Sequence, residues 1–316
     1  MNLIESLSII NTVYGEINPG LGEDCFTRRT VNNKTRCFGV FDGCGGLGGK
    51  RYEAVSNHTG AWIASRVAAA AADIFAVKEG FKFDDETGAL FCQTIEEALQ
   101  GVKQKFTSST GVQVGGSLSK SMPTTVCMAA AEIRDSKLLC DFFWAGDSRA
   151  YTLDQYGLCQ ITRDDVDENA DDAFENLRED GRLTNVANAD ENFIIHRRRI
   201  MMDIPKIVIC STDGGFAYFN SPMEFEYVLL NTMQESETPE EWSEKLGEVL
   251  RYVAGDDFTV VIEVFGFSDF LTMKNYFFNR LRNLKSRYIP DEDEQNEDML
   301  RKLWQEYKVS YYNRYK

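Results

Sequence analysis

Acidic residues lie beside strand-like hydrophobic stretches at four separate places in the sequence. In each place a run rich in Val, Ile, Phe or Trp adjoins Asp and Gly: residues 38–43 (FGVFDG), 142–148 (FFWAGDS), 207–214 (IVICSTDG) and 255–259 (GDDFT). A fifth acidic place, residues 22–26 (GEDCF), lies near the N-terminus. A carboxylate next to a buried strand is costly unless it is paired, hydrogen-bonded or bound to a cation. One Asp-Gly alone is typical of an ordinary turn, but five such places in one chain predict a shared site above the strand ends.

The donor set of such a site consists of hard oxygen ligands, which Mg²⁺ and Mn²⁺ prefer. Two such ions about 3.5 to 4 Å apart can bridge a water, lower its pKa and clamp a phosphoryl group for in-line attack. The chain has only two histidines, His58 and His196, so a multi-histidine metal site or a Ser/His/Asp relay is hard to build. The residues therefore favour carboxylate-bound metal and phosphoester hydrolysis without a covalent intermediate.

Composition argues against several other classes of protein. The 316 residues, 43% of them hydrophobic and 27% charged, are typical of a soluble globular protein, and the formal charge of −16 argues against a nucleic-acid partner. We find no apolar run of membrane-spanning length and no basic start of a secretory signal, so we expect a cytoplasmic protein without a membrane partner. The eight cysteines form no CxxC pair, and most lie in strand-like runs, as reduced buried cysteines do.

The elements that must position the acidic residues are strands and helices in mixed order. Apolar runs of strand length occur at 36–41, 137–144, 151–153, 158–161, 206–210 and 258–265. Residues 154–157 (DQYG) are typical of a hairpin turn. Helices are predicted at 58–77, which is rich in Ala, and at 238–254, where Thr238, Pro239 and Glu241 form a capping pattern. Because a strict βαβ rhythm is missing, the pattern favours an α+β layered fold.

The C-terminal part has a different character and predicts an appended helical hairpin. Residues 270–288 and 299–307 are amphipathic, and Pro290 and the acidic stretch 291–298 (DEDEQNED) separate them. We divide the chain into a catalytic domain, residues 1–265, and a C-terminal helical extension, residues 266–316. We expect the hairpin to pack on the flank of the domain, and the alternative is a surface that binds a protein partner.

A series of motifs resembles a known family. Over roughly residues 10 to 265, the motifs GEDCF, FGVFDGCGG, MPTTVCMAAAEI, FFWAGDSRAYTL, ITRDD, IVICSTDGG and GDDFTVVIEV are similar in order and spacing to the metal-dependent protein phosphatases of the bacterial protein phosphatase 2C (PPM) type. The resemblance implies a four-layer αββα sandwich, in which helices flank two antiparallel sheets. It also implies hydrolysis of phosphoserine and phosphothreonine in proteins. The implied cofactors are Mn²⁺ or Mg²⁺, as two ions with a weaker third.

The resemblance assigns the central metal ligands. Asp42 would bridge both metals and act in catalysis through them, and the carbonyl of Gly43 would bind one of the two ions. Asp213 and Asp256 would complete the ligands of one metal.

It also assigns residues around this centre. Glu23 and Asp24 would supply a ligand to the other metal and an acceptor for its waters. Asp147, in the AGDSRA motif, matches the residue that holds the third ion in bacterial members. Asp257 stands where the family often has Asn and would lie just behind the ligands.

Two departures from the family pattern affect the chemistry. Cys44 replaces the His that is thought to protonate the leaving group, and a thiol with an ordinary pKa of about 8.5 is a poor acid at neutral pH. Water on a metal is the alternative proton donor. The phosphate-binding Arg expected before Glu23 is absent, since residues 18–21 read NPGL. Arg28, Arg29 or Lys50 are the candidates to replace it.

Some alternatives stay open at this stage. Residues 165–206 correspond to a flap in relatives, and in them an acidic part precedes the basic residues 196–199 (HRRR). We expect this stretch to form a solvated face. The alternative is that His196 recognises the substrate. For the whole chain, a phosphatase-like regulatory module that binds metal without turnover competes with the enzyme. A calcium-stabilised structural protein ranks last, because no EF-hand loop is present.

Overall fold

Two antiparallel sheets with helices on their outer faces make up the computed structural model of the chain, which describes residues 10–78, 81–110, 121–167, 172–177, 181–190, 192–291 and 296–315. The strands are β1 (Ile10–Gly15), β2 (Cys25–Thr30), β3 (Thr35–Phe41), β4 (Arg51–Tyr52), β5 (His58–Thr59), β6 (Val126–Arg134), β7 (Lys137–Ala145), β8 (Arg149–Asp154), β9 (Gly157–Gln160), β10 (His196–Asp203), β11 (Lys206–Ser211) and β12 (Phe258–Phe265). The helices are α1 (Gly45–Gly48), α2 (Gly60–Lys78), α3 (Thr87–Thr110), α4 (Pro222–Glu235), α5 (Pro239–Val253), α6 (Phe270–Tyr288) and α7 (Glu297–Asn313).

The two large sheets have five strands each. Sheet A has the order β1-β12-β11-β8-β9, and sheet B has the order β10-β7-β6-β3-β2. Neighbouring strands in both sheets are antiparallel, and β4 and β5 form a separate short ribbon. The predicted α+β fold, a four-layer αββα sandwich with C-terminal helices, is confirmed.

Three apolar layers hold the sandwich together. Side chains alternate along a strand, so Phe38 and Val40 of β3 face sheet A, whereas Cys37 and Phe41 face α2 and α3. The third layer lies between sheet A and helices α4 to α7. Strands β3, β6, β7, β11 and β12 are largely buried on both sides, which explains why they appear in the sequence as mostly hydrophobic runs.

One ion pair crosses the layer between the sheets. The Arg36 guanidinium of β3 donates to the Glu263 carboxylate of β12 at 2.9 Å, and both side chains are almost fully buried. Burial raises the pKa of Glu263 to about 7, although the neighbouring Arg36 opposes the shift. The pair thus links the central parts of the two sheets at a cost in desolvation.

The clearest local predictions are confirmed. The turn at 154–157 joins β8 and β9, and Gly157 takes a φ of +113° there. Thr238 caps α5 by accepting a hydrogen bond from the Glu241 backbone N–H at 3.1 Å. The Glu241 carboxylate accepts from the Glu237 N–H, one residue before the partner that a capping box would use.

The basic residues 196–199, which we expected on a solvated face, belong to strand β10. This strand pairs with β7 along its whole length. Arg197 and Arg199 donate to opposite oxygens of Asp141, which is fully buried, at 2.5 and 2.8 Å. Their charges therefore neutralise a carboxylate on the neighbouring strand. The acidic part of the same stretch lies partly outside the described residues.

Helix α2 qualifies the expectation that the chain has no membrane-length apolar segment. Among the described residues it is long and apolar enough to cross a membrane by length and composition alone, with a mean hydropathy of 1.4. Its Ala64, Ala68 and Ala72 are fully buried against sheet B and α3. Because 61% of the segment is buried inside the protein, a core helix accounts for its composition.

The C-terminal helices pack on sheet A. Phe277 of α6 and Trp304 and Tyr307 of α7 are buried in the same apolar layer as sheet A. The Arg280 guanidinium pairs with Glu226 of α4 at 2.6 Å, and the Tyr307 hydroxyl donates to the same carboxylate. The apolar faces of both helices are thus occupied within the chain, and nothing in the described residues supports a partner there. The boundary at residue 265 stays a prediction.

Candidate metal centre

The predicted acidic residues lie at one end of the sandwich, because the strands that carry them end at the same level. The register pairs Phe41 with Cys25 in sheet B and Ser211 with Arg149 in sheet A. Asp24 and Asp42 therefore adjoin each other across β2 and β3, and Asp147 and Asp213 do so across β8 and β11. The layer between the sheets brings the two pairs together.

Asp24, Asp42, Asp147 and Asp213 form the inner group of carboxylates. Each is partly exposed at the floor of a cleft. Burial raises the pKa of Asp42 well above its ordinary value, and the charges of Asp213, Asp24 and Asp147 raise it further. Burial and Asp213 likewise raise the pKa of Asp147. These four carboxyl groups are close enough to disfavour one another's ionisation.

Hydroxyl groups fix the chain on both sides of Asp42. The Thr125 hydroxyl accepts from the Asp42 backbone N–H at 3.0 Å, and the Thr124 hydroxyl donates to the Asp42 carbonyl at 2.8 Å. Thr125 also shares a hydrogen bond of 2.7 Å with the hydroxyl of Ser148. Asp42 and the turn that carries Asp147 are thus held in one network.

A separate hydroxyl pair binds Asp24. The Thr212 hydroxyl donates to Asp24 Oδ2 at 2.8 Å, and Thr259 forms a further side-chain hydrogen bond. Burial raises the pKa of Asp24 to about 8 despite these hydrogen bonds, and Asp213 adds to the shift. Asp24 is therefore protonated at neutral pH unless a cation lies nearby.

Glu23, Asp256 and Asp257 form an outer group beside the inner one. Burial raises the pKa of Glu23, and the charges of Asp257 and Asp256 add to the shift. Burial also raises the pKa of Asp256. Asp256 thus interacts electrostatically with Glu23 and Asp257.

Asp257 holds the acidic N-terminal loop in place. Its Oδ1 accepts from the Ile17 backbone N–H and its Oδ2 from the Glu23 N–H, both at 2.8 Å. Its predicted role behind the ligands stays a prediction. The Glu23 carboxylate also accepts a hydrogen bond from the Thr59 hydroxyl.

Glycines allow the closest backbone approaches in the cleft. A Cβ at Gly43 would lie 2.5 Å from the Ala61 carbonyl oxygen, and a Cβ at Gly45 would lie 2.2 Å from Glu23 Oε2. At Gly214, directly after Asp213, a Cβ would lie 2.0 Å from the carbonyl oxygen of Asp257. A side chain at Gly43 or Gly214 would therefore clash with the facing backbone, and a side chain at Gly45 would displace the Glu23 carboxylate.

The donor set fits a divalent cation on two grounds. Asp147 Oδ1 is buried and has no hydrogen-bond partner, and the neighbouring carboxylates repel one another. As placed, however, no three His, Cys, Asp or Glu side chains in the described ranges form an arrangement that could hold a metal ion. The convergence nevertheless favours a cation site, because rotation about side-chain bonds changes coordination distances without changing which groups converge.

Cys44 lies within the same field of negative charge. Its thiol donates to the Asp42 carbonyl oxygen at 3.8 Å. Burial raises the pKa of Cys44 well above its ordinary value, and Asp42, Asp147 and Asp213 raise it further. The thiol therefore keeps its proton at neutral pH, which agrees with the expectation that it is a poor acid.

The predicted replacements for the phosphate-binding Arg have other contacts. Arg28 donates to the Thr12 hydroxyl at 3.1 Å, and Arg29 pairs with Asp73 at 2.5 Å. Lys50 lies over an aromatic ring at 5.2 Å from its centroid. None of these contacts is with the inner group.

Arg51 and Arg66 are cations near the cleft that our sequence analysis missed. The positive charge of Arg51 acts on Glu23 and opposes the rise in its pKa. Arg66 donates to the Gly22 carbonyl at 2.9 Å and so holds the loop that carries Glu23. Arg51 directly follows Lys50, so extending that prediction by one residue would have included it.

His196 supports the turn that carries Asp147. Its Nε2 lies 2.9 Å from Asp165 Oδ1, and its ring stacks on Trp144 at 5.2 Å. Asp165 Oδ2 in turn accepts from the Gly146 backbone N–H at 3.0 Å. His196 is thus engaged inside the chain, and recognition of substrate by it stays a prediction.

A cavity of about 70 Å³ adjoins the inner group. Asp147 and Asp213 line one side of it, and Arg149, Asp164 and Asn176 line another. Arg149 and Asp164 are nearly fully buried and form an ion pair of 2.6 Å. The cavity therefore has a charged but internally neutralised wall.

Solved structures share this fold. The chain resembles the serine/threonine phosphatase PstP/Ppp of Mycobacterium tuberculosis over 81% of its length and 97% of that chain, with a TM-score of 0.55 and 18% identity. The chain also resembles Stp1 of Staphylococcus aureus over 82% of its length and 95% of that chain, with a TM-score of 0.59 and 14% identity. The likeness to a PstP catalytic domain in complex with two manganese ions covers 81% of this chain and 97% of that chain, with a TM-score of 0.51 and 16% identity. The chain therefore has the fold of the PPM serine/threonine phosphatases. No family model and no curated protein matches the sequence.

Proposed function

We propose that the chain is a divalent-metal-dependent phosphatase of phosphoserine and phosphothreonine proteins. The observation that carries the proposal is the inner group, in which four carboxylates from remote parts of the chain meet at the cleft of a phosphatase fold. A cytoplasmic location, which follows from composition, is part of the proposal.

The inner and outer groups would hold the cations. Asp42, Asp147 and Asp213 would provide carboxylates, and the Gly43 carbonyl and Asp24 would complete the inner ligands. A pair of Mn²⁺ or Mg²⁺ ions, with a weaker third, would supply an activated water and neutralise the charge of the phosphoryl group.

In the outer group, Glu23 and Asp256 lie beside the inner ligands. Asp257 fixes the loop of Glu23 through two backbone hydrogen bonds.

The other residues of the cleft would bind and orient the substrate. Arg51, whose charge acts on Glu23, is the best-placed described cation to bind a phosphate oxygen at the rim. Cys44 keeps its proton and contacts the Asp42 carbonyl. We therefore assign it a packing role, and a solvent proton would reach the leaving serine or threonine oxygen.

The test is hydrolysis of a phosphoserine or phosphothreonine peptide and of p-nitrophenyl phosphate with EDTA, Mg²⁺ or Mn²⁺. Wild-type protein should hydrolyse both substrates only with metal, and Asp42→Ala and Asp213→Ala should lower kcat by at least about a thousandfold. Asp203→Ala is a matched control, because this Asp is exposed and pairs with the exposed Lys137 at 3.5 Å. Equal rates for wild type and both cleft variants would overturn the proposal.

A second candidate is a phosphatase-like regulatory module that binds metal without turnover. The observation that favours it is Cys44, which stands among the carboxylates with a strongly raised pKa where relatives would have an acid. This candidate predicts that Mn²⁺ raises the Tm of the protein while neither substrate is hydrolysed. The same assay, run beside thermal melting, separates the two.

A further inference from the structure

One face of helix α7 holds the segment 172–177 through polar contacts. Trp304 Nε1 donates to Asp172 Oδ1 at 2.7 Å, and the Ala173 backbone N–H donates to the Tyr312 hydroxyl at 2.5 Å. The Arg301 guanidinium pairs with Glu175. Residues along one side of the helix thus contact Asp172, Ala173 and Glu175 of the segment.

An aromatic contact anchors the same segment. The Phe174 ring is fully buried and stacks on Trp304, with 6.2 Å between ring centroids and an interplanar angle of 17°. The Arg301 guanidinium lies 5.7 Å from the Phe174 ring. The segment is therefore seated on α7 by burial as well as by hydrogen bonds.

The other side of the segment reaches the cavity beside the carboxylates. Asn176 Nδ2 donates to Asp164 Oδ2 at 2.8 Å, and Asp164 forms the ion pair with Arg149. All three residues line the same cavity as Asp147 and Asp213. The contacts thus run from α7 through the segment to the wall of the cleft.

We propose that α7 is a positioning element of the catalytic cleft, which sets the cavity wall beside the inner group by holding the segment 172–177. The inference rests on the proposed phosphatase function. Trp304, Arg301 and Tyr312 are positioning residues. They contact the segment, but they neither belong to the inner group nor line the cavity. Asn176, the partly exposed residue of this wall, would contact the peptide around the phosphorylated residue, because it lies beside the inner group rather than in it.

The test uses Tyr312→Phe, which removes the hydroxyl that accepts the hydrogen bond from the Ala173 N–H and leaves the ring in place. Exchange of the Ala173 amide with deuterium should accelerate about fivefold, the factor that the net contribution of one hydrogen bond produces. The KM for a phosphopeptide should increase about threefold or more, while kcat/KM for p-nitrophenyl phosphate stays within about twofold, because the small substrate does not need the wall. Arg301→Gln, a change at a partly exposed residue, should act in the same direction.

Tyr307→Phe is the matched control. Tyr307 lies on the same helix, and the variant also loses one hydroxyl. That hydroxyl, however, donates to Glu226 of α4 and not to the segment 172–177. This variant should change neither the Ala173 exchange nor the KM for phosphopeptide, whatever its effect on Tm. Unchanged exchange in both Tyr312→Phe and Arg301→Gln, or an equal change in Tyr307→Phe, would overturn the inference while leaving the phosphatase function intact. A wild-type protein without activity on either substrate would overturn the proposed function, and the inference with it.

Discussion

Replacing Asp24 by Asn should stabilise the protein without metal and make it the weaker form once metal is added. The pKa of Asp24 is about 8 instead of its ordinary 3.8, mainly because of burial. At pH 7 this carboxyl must take up a proton on folding, whereas it is ionised in the unfolded chain. A raised pKa means that this cost grows as pH rises from about 4 to about 8 and then stays constant.

The magnitude follows from the proton affinity. At about 1.4 kcal/mol for each tenfold change, the proton uptake by Asp24 at pH 7 costs at most about 4 kcal/mol. Relaxation and water entry reduce such a cost, so we expect a gain of about 2 kcal/mol from Asn, or about 3 °C in Tm for a chain of this length. Asn still offers an oxygen to the Thr212 hydroxyl, so this hydrogen bond survives the change.

Manganese should reverse the order of the two proteins. A ligand at a hundred times its Kd adds about 2.7 kcal/mol to the stability of a protein that binds it. Wild type should gain about this amount from Mn²⁺, and Asp24→Asn should gain much less, because it lacks one of the charges that attract the ion.

Thermal melting at pH 7 with EDTA and with excess Mn²⁺ measures both effects. Asp154→Asn is the matched control, because the Asp154 carboxylate pairs with Lys206 at 2.6 Å and with Arg314 at 2.8 Å. That variant should melt below wild type in both conditions. If Asp24→Asn also melted below wild type with EDTA, the inner carboxylates would not be a source of repulsion and our reasoning would be wrong.

Three further predictions concern the same site and the core. Cys44→His should raise kcat for a phosphopeptide about tenfold at pH 7, because imidazole can donate a proton near that pH. If steady-state kinetics show no gain, a residue at this position does not act as the proton donor. Arg36→Met should lower the free energy of unfolding in urea by about 3 kcal/mol, because it leaves the Glu263 carboxylate buried without its partner. Since the pKa of Glu263 is about 7, the loss should be larger at pH 8 than at pH 6, and a loss independent of pH would contradict the assignment. The gain in Tm from Mn²⁺ should increase from pH 6 to pH 8.5, because protons held by Asp24 and Asp42 compete with the ion. Melting curves that show an equal gain at both pH values would argue against the metal site.

The strands that carry the aspartates were predictable because they are buried on both faces. β3, β7, β11 and β12 are long continuous apolar runs, which stand out in the sequence without knowledge of their neighbours. β10 escaped prediction because its Arg197 and Arg199 are placed by contacts remote in sequence, above all the ion pairs with Asp141 on the adjacent strand. No local pattern contains that pairing.

The convergence of Asp42, Asp147 and Asp213 could also be predicted, since each follows a strand of one sandwich end. The two-part arrangement of the cleft could not. The Asp257 carboxylate accepts from backbone N–H groups more than 230 residues away, at distances of 2.8 Å, and so holds Glu23 in the outer group. Such contacts follow from tertiary packing, and hydrophobic periodicity carries no information about them.

The inner carboxylates come from both sheets, and this origin affects when an ion can bind during folding. Asp24 and Asp42 are contributed by sheet B, and Asp213 follows a strand of sheet A. A partly folded chain with one sheet formed would hold only a fraction of the ligands, so cation affinity would appear late, after the sheets have docked. An ion bound at that stage would slow unfolding far more than it speeds folding. Metal supply would then govern how long the folded protein survives, and the rate at which it forms would depend on the chain alone.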